Sequence, residues 1–377
     1  MERIHVLPKV SPLFTAWLVW SWHRKHRRSV QGSSQCAWWL QVPPAQQHAE
    51  ESEMARQLVV SGTGGVLYVD ATGAQVGSIF DLLTKPDAAA VLRCSYSQNP
   101  ADIDPTSKPL TPSGHMTLAY EPFDHAIPGW QFFDYDWRLD IRSSARRLAT
   151  FFQQAAPNGD RWRVVAHSQG GLVVLAAAQE LGADAAAQMI QSICFVGTPF
   201  FGTVNALIAL LQGTLFGNAV PKEIARTWPS LYQMMPSWGI FDATPGKNDL
   251  LVEGTWGAFG LLPGPGEALD LSKHVDPVML ARANAWRELT KVNFFDALHK
   301  LDYVRIIQGN NRDTTLYLPQ FPSTNGASIT KGDTLVPDQF TRDSLPEWIK
   351  DSATIRRIPA AEHMLLCSDP NVYGLCQ

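Results

Sequence analysis

Charge is in short supply in this chain. Asp, Glu, Lys and Arg make up 18% of its 377 residues, against a usual share of about 25%. The net charge of −4 offers no basic face to a phosphate backbone, so nucleic acid is excluded as the main partner. Cysteine is sparse. Cys36, Cys94, Cys194, Cys367 and Cys376 have no metal-ligand spacing, and no H-E-x-x-H run occurs, so no metal is expected. Phosphate-loop glycines are missing as well. Ser61-Gly62-Thr63-Gly64-Gly65 has no G-K-[ST] after it, and Leu67 spoils a G-x-G-x-x-G reading. No cofactor is expected. There is no internal repeat and no low-complexity tract. The apolar run from Leu13 to Trp20 is far shorter than the roughly 20 residues that span a bilayer.

That run opens a segment, 1–53, unlike the rest. His23-Arg24-Lys25-His26-Arg27-Arg28 follows the apolar stretch, whereas a signal peptide carries its positive charge before it. Three readings stand: a weak export or membrane-surface segment, a disordered basic arm, or residues outside the natural gene product. Met54-Ala55-Arg56-Gln57-Leu58-Val59-Val60 leads straight into a first strand. With no convincing export signal or spanning helix, a cytoplasmic location is favoured. Cys367 and Cys376 could close a short loop if the protein is exported; free thiols in a reducing compartment are the other reading.

What the chain has in quantity is apolar residues, 45% of the total, and thirteen tryptophans. So many indoles suggest apolar surfaces that still meet water. The chain is organised around Trp162-Arg163-Val164-Val165-Ala166-His167-Ser168-Gln169-Gly170-Gly171-Leu172. An apolar strand, a serine between small residues and an Ala-rich helix to Leu181 make a nucleophile elbow. The turn strains the serine backbone, and Gly170 and Gly171 leave room for it. Ala166 replaces the first glycine of the fuller pattern. The nucleophile's partners are expected downstream in the order acid, then histidine. Asp333 follows the strand-like run Tyr303–Ile307, and His363 follows Thr354–Ile358. Asp313 is the rival acid. His167, beside the serine, reads as structural.

Elsewhere, Ile141, Ala145, Leu148, Phe152 and Ala155 recur at helical spacing. Ile190 to Val196 reads as the strand after the elbow helix. Residues 94–129, rich in Pro, Asp, Ser and Thr, read as a long excursion. From about Phe200 to His299 the β/α rhythm is lost. Helical fragments at Val204–Leu211 and Pro277–Leu289 and four tryptophans stand there among many Gly and Pro.

Taken together, Ala166-His167-Ser168-Gln169-Gly170-Gly171, Tyr135-Asp136-Trp137-Arg138, Gly197-Thr198-Pro199, the G-D-x-x-V-P of Gly332–Pro337 and the E-H-x-x-L-x-x-x-P-x-V of Glu362–Val372 resemble the lecithin:cholesterol acyltransferase-like branch of α/β-hydrolases. The resemblance runs from about Gln57 to Val372. It implies an α/β-hydrolase fold, a mostly parallel central sheet flanked by helices with an inserted cap. It favours Asp333 over Asp313, because Gly332 and Pro337 complete the pattern. The first loop would supply part of an oxyanion hole, through the backbone N–H of Thr63, with that of Gln169 as second donor. Trp137 would lie near the substrate cleft. The expected organisation is a poorly structured extension at 1–53, core at 54–199, cap at 200–299 and core again at 300–377, with Trp228, Trp238 and Trp256 of the cap on the acyl-binding wall.

The function implied is a serine carboxylic-ester hydrolase, a lipase or esterase with phospholipase or acyltransferase action also open, using Ser168, Asp333 and His363 through an acyl-enzyme. The substrate would be a lipid or other apolar acyl ester, and transient contact with a membrane or lipid surface is compatible with it. The alternatives are an O-acyltransferase moving a lipid acyl group to an alcohol, and a catalytically silent α/β-hydrolase fold used for binding.

Overall fold

The computed structural model describes residues 56–64, 66–69, 75–77, 91–107, 110–115, 119–120, 129–155, 160–241, 250, 253–291, 293–339, 344–350, 354–359 and 361–376. Segment 1–53, with Trp17, Trp20, Trp38, Trp39 and Cys36, lies outside the described residues, as do Met54 and Gly65.

In chain order the elements are β1 (Arg56–Val60), β2 (Val66–Val69), β3 (Gln75–Gly77), β4 (Thr111–His115), β5 (Trp130–Phe133), α1 (Ile141–Ala155), β6 (Trp162–His167), α2 (Gln169–Leu181), α3 (Ala183–Met189) and β7 (Ile190–Val196). There follow α4 (Val204–Gln212), the hairpin β8 (Thr214–Leu215) and β9 (Asn218–Ala219), α5 (Lys222–Ala225), α6 (Pro229–Gln233), α7 (Glu253–Ala258) and α8 (Pro277–Lys291). The chain then returns to strands with β10 (Tyr303–Asn310), β11 (Arg312–Tyr317), β12 (Ser328–Gly332) and β13 (Ile355–Pro359), and ends in α9 (Pro370–Cys376).

Six strands form one parallel sheet in the order β13-β10-β7-β6-β1-β5. Successive side chains of a strand point to opposite faces, and the sheet is buried on both. Leu58 and Val60, Val164 and Ala166, Ile193 and Phe195 pack into the main core, with α1, α2 and the residues of 200–299. Val59, Val165, Cys194 and Val196 pack into a second core with Leu366, Cys367 and Val372 near the C-terminus. Such two-sided burial explains why these strands read as continuous apolar runs. This is the α/β-hydrolase fold that the resemblance implies. In α1 the expected stripe is buried at Ile141, Ala145, Leu148 and Phe152 and partly buried at its last member, Ala155.

Strand order reverses at β1, which pairs with β5 on one side and β6 on the other. Parallel α/β sheets open a crevice beyond the carboxyl ends of the strands at such a point. Loop 61–64 and Ser168 both emerge there, directly after β1 and β6.

The excursion at 94–129 contains a strand that its residues do not announce. Thr111-Pro112-Ser113-Gly114-His115 has no apolar alternation, yet β4 pairs antiparallel with β2. A strand made by its partner's backbone carries no side-chain signature. Cys94, Cys194, Cys367 and Cys376 are buried free thiols, and burial pushes the Cys94 thiol up to about 12. Cys367 and Cys376 are not joined. Among the described residues no helix is long and apolar enough to cross a membrane, and no His/Cys/Asp/Glu cluster could hold a metal ion.

Candidate active site

Ser168 stands between β6 and α2 with φ 53 and ψ −128. A non-glycine residue held there is strained and persists only when its surroundings fix it. They do so tightly: its N–H donates to the Val196 carbonyl at 2.8 Å, and its own carbonyl accepts from Gly171 N–H at 3.0 Å. The small neighbours are required by contact. A Cβ on Gly170 would stand 2.5 Å from the Ser61 carbonyl oxygen, one on Gly171 would meet the Thr198 side chain, and one on Gly62 would stand 2.7 Å from the Ser168 Cβ.

The sequence places Ser168, Asp333 and His363 far apart; the fold brings them together. His363 Nε2 lies 2.8 Å from Ser168 Oγ, and its Nδ1 lies 2.9 Å from Asp333 Oδ2. All three are buried. Asp333 is fixed by donors alone. Oδ1 accepts the N–H groups of Leu335 at 3.0 Å and Val336 at 2.7 Å, and Oδ2 also accepts Gln308 Nε2 at 2.9 Å. The sharp turn after it, with Thr334 at φ 88, curls those two amides back onto the carboxylate. Asp313 is elsewhere: its side chain is 75% exposed and bonds Lys331 Nζ at 2.7 Å across the β11–β12 hairpin.

Thr63 and Gln169 face each other at the crevice. Thr63 Oγ1 donates to Gln169 Oε1 at 2.6 Å, and Gln169 Nε2 donates to the Trp137 carbonyl at 2.8 Å. Gln169 is the first residue of α2, so its N–H has no acceptor one turn earlier in the helix. The Tyr-Asp-Trp-Arg run braces this corner. Tyr135 Oη donates to the Ser61 carbonyl at 2.7 Å. The Arg138 guanidinium grips Asp136 with two bonds, at 2.8 and 2.5 Å, both groups buried. A planar fork on a carboxylate holds the segment in one geometry.

The space over Ser168 is mainly apolar. A narrow cleft, partly open to solvent, is lined by Thr63, Ser168 and His363, by the polar Thr203 and Asn205, and by a mainly apolar wall that includes Leu215, Phe216, Leu231, Met234 and Val336. The tryptophans expected on this wall are not among its lining residues. Trp228 is fully buried, its indole N–H on the Leu92 carbonyl and its ring edge-on to Trp137 at 5.1 Å. Trp238 and Trp256 are also buried, with their N–H groups on the carbonyls of Leu316 and Leu250. Trp137 takes part through its carbonyl, not its ring. The reason is the indole N–H. A buried indole N–H usually takes an acceptor, and for Trp228, Trp238 and Trp256 backbone carbonyls in the core supply it.

The lining residues Leu215, Phe216, Leu231, Met234, Leu335 and Val336 were not foreseen, nor were Gln308 and Tyr120. Gln308 had a readable signal, because it directly follows the apolar run Tyr303–Ile307 in β10. Tyr120 had none.

His167 is buried, its Nδ1 2.8 Å from Tyr120 Oη and its Nε2 3.0 Å from the His363 carbonyl. Burial, assisted by nearby His363, lowers its pKa to about 3. In the unfolded chain a histidine takes up its proton near about pH 6.5. Between those values the unfolded state binds more protons, so this group makes stability fall as pH falls from about 6.5 toward about 3. Substituting His167→Gln is therefore expected to remove part of the acid destabilisation. Urea melts at pH 7 and pH 5 should differ by up to about 2 kcal/mol less in the variant than in the parent. An unchanged difference would contradict the burial of a neutral imidazole.

The family model described as lecithin:cholesterol acyltransferase matches residues 132–255. The matched segment includes the Tyr-Asp-Trp-Arg run, the elbow with Ser168 and Gly197-Thr198-Pro199, and ends before Asp333 and His363. It agrees with the resemblance drawn from the motifs and supports an enzyme acting on acyl esters. No curated protein matches by sequence. Similar solved structures include a Tle4–Tli4 complex, at 13% identity and TM-score 0.45 over 85% of this chain and 98% of that one. The mature lipase BlEst2 of Bacillus licheniformis aligns at 15% identity and TM-score 0.37, over 86% of this chain and 92% of that one. Phospholipase PlaB of Legionella pneumophila aligns at 10% identity and TM-score 0.34, over 75% and 44%.

Proposed function

We propose that this chain is a serine carboxylic-ester hydrolase acting on lipid or other apolar acyl esters through an acyl-enzyme. The observation that carries the reading is the Ser168–His363–Asp333 chain of hydrogen bonds at the floor of an apolar cleft. Ser168 Oγ attacks the ester carbonyl as His363 Nε2 takes its proton. Asp333 holds the proton-bearing Nδ1 toward itself and so presents the basic nitrogen to the serine. The backbone N–H groups of Thr63 and Gln169 receive the developing oxyanion. The tetrahedral adduct collapses, and His363 returns the proton to the departing alcohol. Water then repeats the sequence on the acyl-enzyme and releases the acid.

The substrate class follows from the wall. Leu215, Phe216, Leu231 and Met234 would remove an acyl chain from water at about 25 cal/mol per Å², and among the described residues that line the cleft none is Asp, Glu, Lys or Arg, Thr203 and Asn205 being polar but uncharged. Residues from 200–299 thus supply much of the wall, as a cap would, but through these side chains and not the tryptophans. Labelling with a fluorophosphonate, with Ser168→Ala as the control, tests the reading. A parent protein that neither takes the label nor cleaves any p-nitrophenyl ester would sink it.

Acyl length should be read by the β8–β9 hairpin. Its two-residue turn places Phe216 at φ 51 and Gly217 at φ 78, and Phe216 lines the cleft. We expect Phe216→Ala to raise the ratio of kcat/KM for a long-chain over a short-chain p-nitrophenyl ester by roughly tenfold. Phosphonate labelling of Ser168 should change little. An unchanged ratio would mean the acyl chain runs another way.

A further inference from the structure

His167 and Tyr120 contact the site's machinery and have no part in the mechanism above. Tyr120 Oη accepts the Gly62 N–H at 2.9 Å and lies 2.8 Å from His167 Nδ1; His167 Nε2 lies 3.0 Å from the His363 carbonyl. The chemistry at the ends fixes every proton. A carbonyl only accepts, so His167 Nε2 carries the hydrogen. In a neutral imidazole Nδ1 is then the acceptor, and Tyr120 donates to it. The hydroxyl's lone pair is left for Gly62. The chain of bonds therefore runs in one direction, from the Gly62 amide through Tyr120 and His167 to the backbone of His363. Burial keeps His167 neutral at and well below neutral pH, so this arrangement holds there.

We propose that Tyr120 and His167 are positioning residues that clamp the oxyanion loop and the base-bearing loop to the same elbow. The proposal rests on the reading of Ser168 as nucleophile. Both ends of the clamp need it. Loop 61–64 has glycines at 62 and 64, the second at φ 73, and glycine leaves backbone torsions free. The loop runs so close to the nucleophile that a Cβ on Gly62 would stand 2.7 Å from the Ser168 Cβ, so a small turn of the Gly62 peptide moves the Thr63 N–H relative to Oγ. At the other end, His363 opens a short 3-10 turn; Asp333 holds its ring through the carboxylate and its N–H through the main-chain carbonyl at 2.8 Å, and the His167 bond ties the His363 carbonyl to the elbow. A misplacement of about 1 Å at a reacting group can cost on the order of 10²-fold in rate.

Steady-state kinetics on a p-nitrophenyl ester, with circular dichroism to count folded protein, separates this role from simple core filling. Tyr120→Phe keeps the ring and deletes the hydroxyl. His167→Gln cuts the bond to Tyr120 and keeps an N–H for the His363 carbonyl. Each should lower kcat by roughly 10- to 100-fold with KM nearly unchanged, and slow phosphonate labelling in parallel. Because both sever the same link, the double variant should be no slower than the worse single within about threefold. His167→Leu, which severs both ends, should be slower than His167→Gln.

Losses that multiply in the double variant, a change in KM alone, or a full kcat in folded Tyr120→Phe would each overturn the clamp. In that last case the active parent shows that the nucleophile reading stands and only the clamp falls. A parent that neither labels nor turns over removes both.

Discussion

Replacing Ser168 or His363 by alanine is expected to lower ester hydrolysis by roughly 10⁴-fold or more, and combining the two should add almost nothing. The two side chains do one job. At 2.8 Å the imidazole is the only base in reach of Oγ among the described residues, and a hydroxyl without a base is a poor nucleophile at neutral pH. Removing either partner leaves the apolar cleft and the proposed Thr63 and Gln169 backbone donors intact. Binding should survive, so KM should move far less than kcat. Because Ser168 sits in a strained conformation that its neighbours enforce, Ser168→Ala should fold. A Ser168→Ala protein retaining more than about 1% of the parental rate would assign the chemistry to another residue.

The fold was legible wherever burial acts on a strand or helix from both sides. The apolar runs of β1, β6 and β7 and the stripe of α1 announce themselves, because their periodicity is the packing. The candidate site was legible in part. Ser168 and His363 follow strands of the parallel sheet, whose ends converge on the crevice, so there order along the chain carries geometry; Asp333 comes after the β11–β12 hairpin, which the sequence reading passes over between β10 and the acid. The tryptophans are buried away from the lining of this cleft, and the sequence does not tell the two placements apart, for a physical reason. A bulky indole in a Gly- and Pro-rich stretch has the same signature whether it lines a cleft or fills a core. What separates the cases is an N–H acceptor supplied by Leu92 for Trp228 and by Leu316 for Trp238, residues 136 and 78 positions away. Tyr120 was invisible on the same grounds. It lies in an excursion without periodicity, and its value comes from Gly62 and His167, 58 and 47 positions off. Phe216 reads as one more apolar residue until its turn shows where it points.

The acid offers the second large effect, and its surroundings determine the form. Asp333→Asn is expected to lower kcat by about 10⁴-fold, the scale on which loss of the correct histidine tautomer acts in serine hydrolases. Every partner of the Asp333 carboxylate is a donor: Leu335 and Val336 N–H on Oδ1, Gln308 Nε2 and the His363 ring on Oδ2. An asparagine must turn its NH₂ toward one set. If it faces His363, the imidazole has to present an acceptor there, its proton moves to Nε2, and Ser168 loses its base. If it faces the two backbone amides, the turn at Thr334 loses its anchor and a buried N–H is left unpaired, at about 1–3 kcal/mol. Either way the loss falls on kcat, and the second way also lowers the melting temperature. Asp313→Asn is the matched control. With its side chain in solvent and bonded only to the exposed Lys331, it should leave both rate and stability within measurement error of the parent. A dead Asp313→Asn beside an active Asp333→Asn would reverse the assignment of the acid and, with it, the path of the proton through this site.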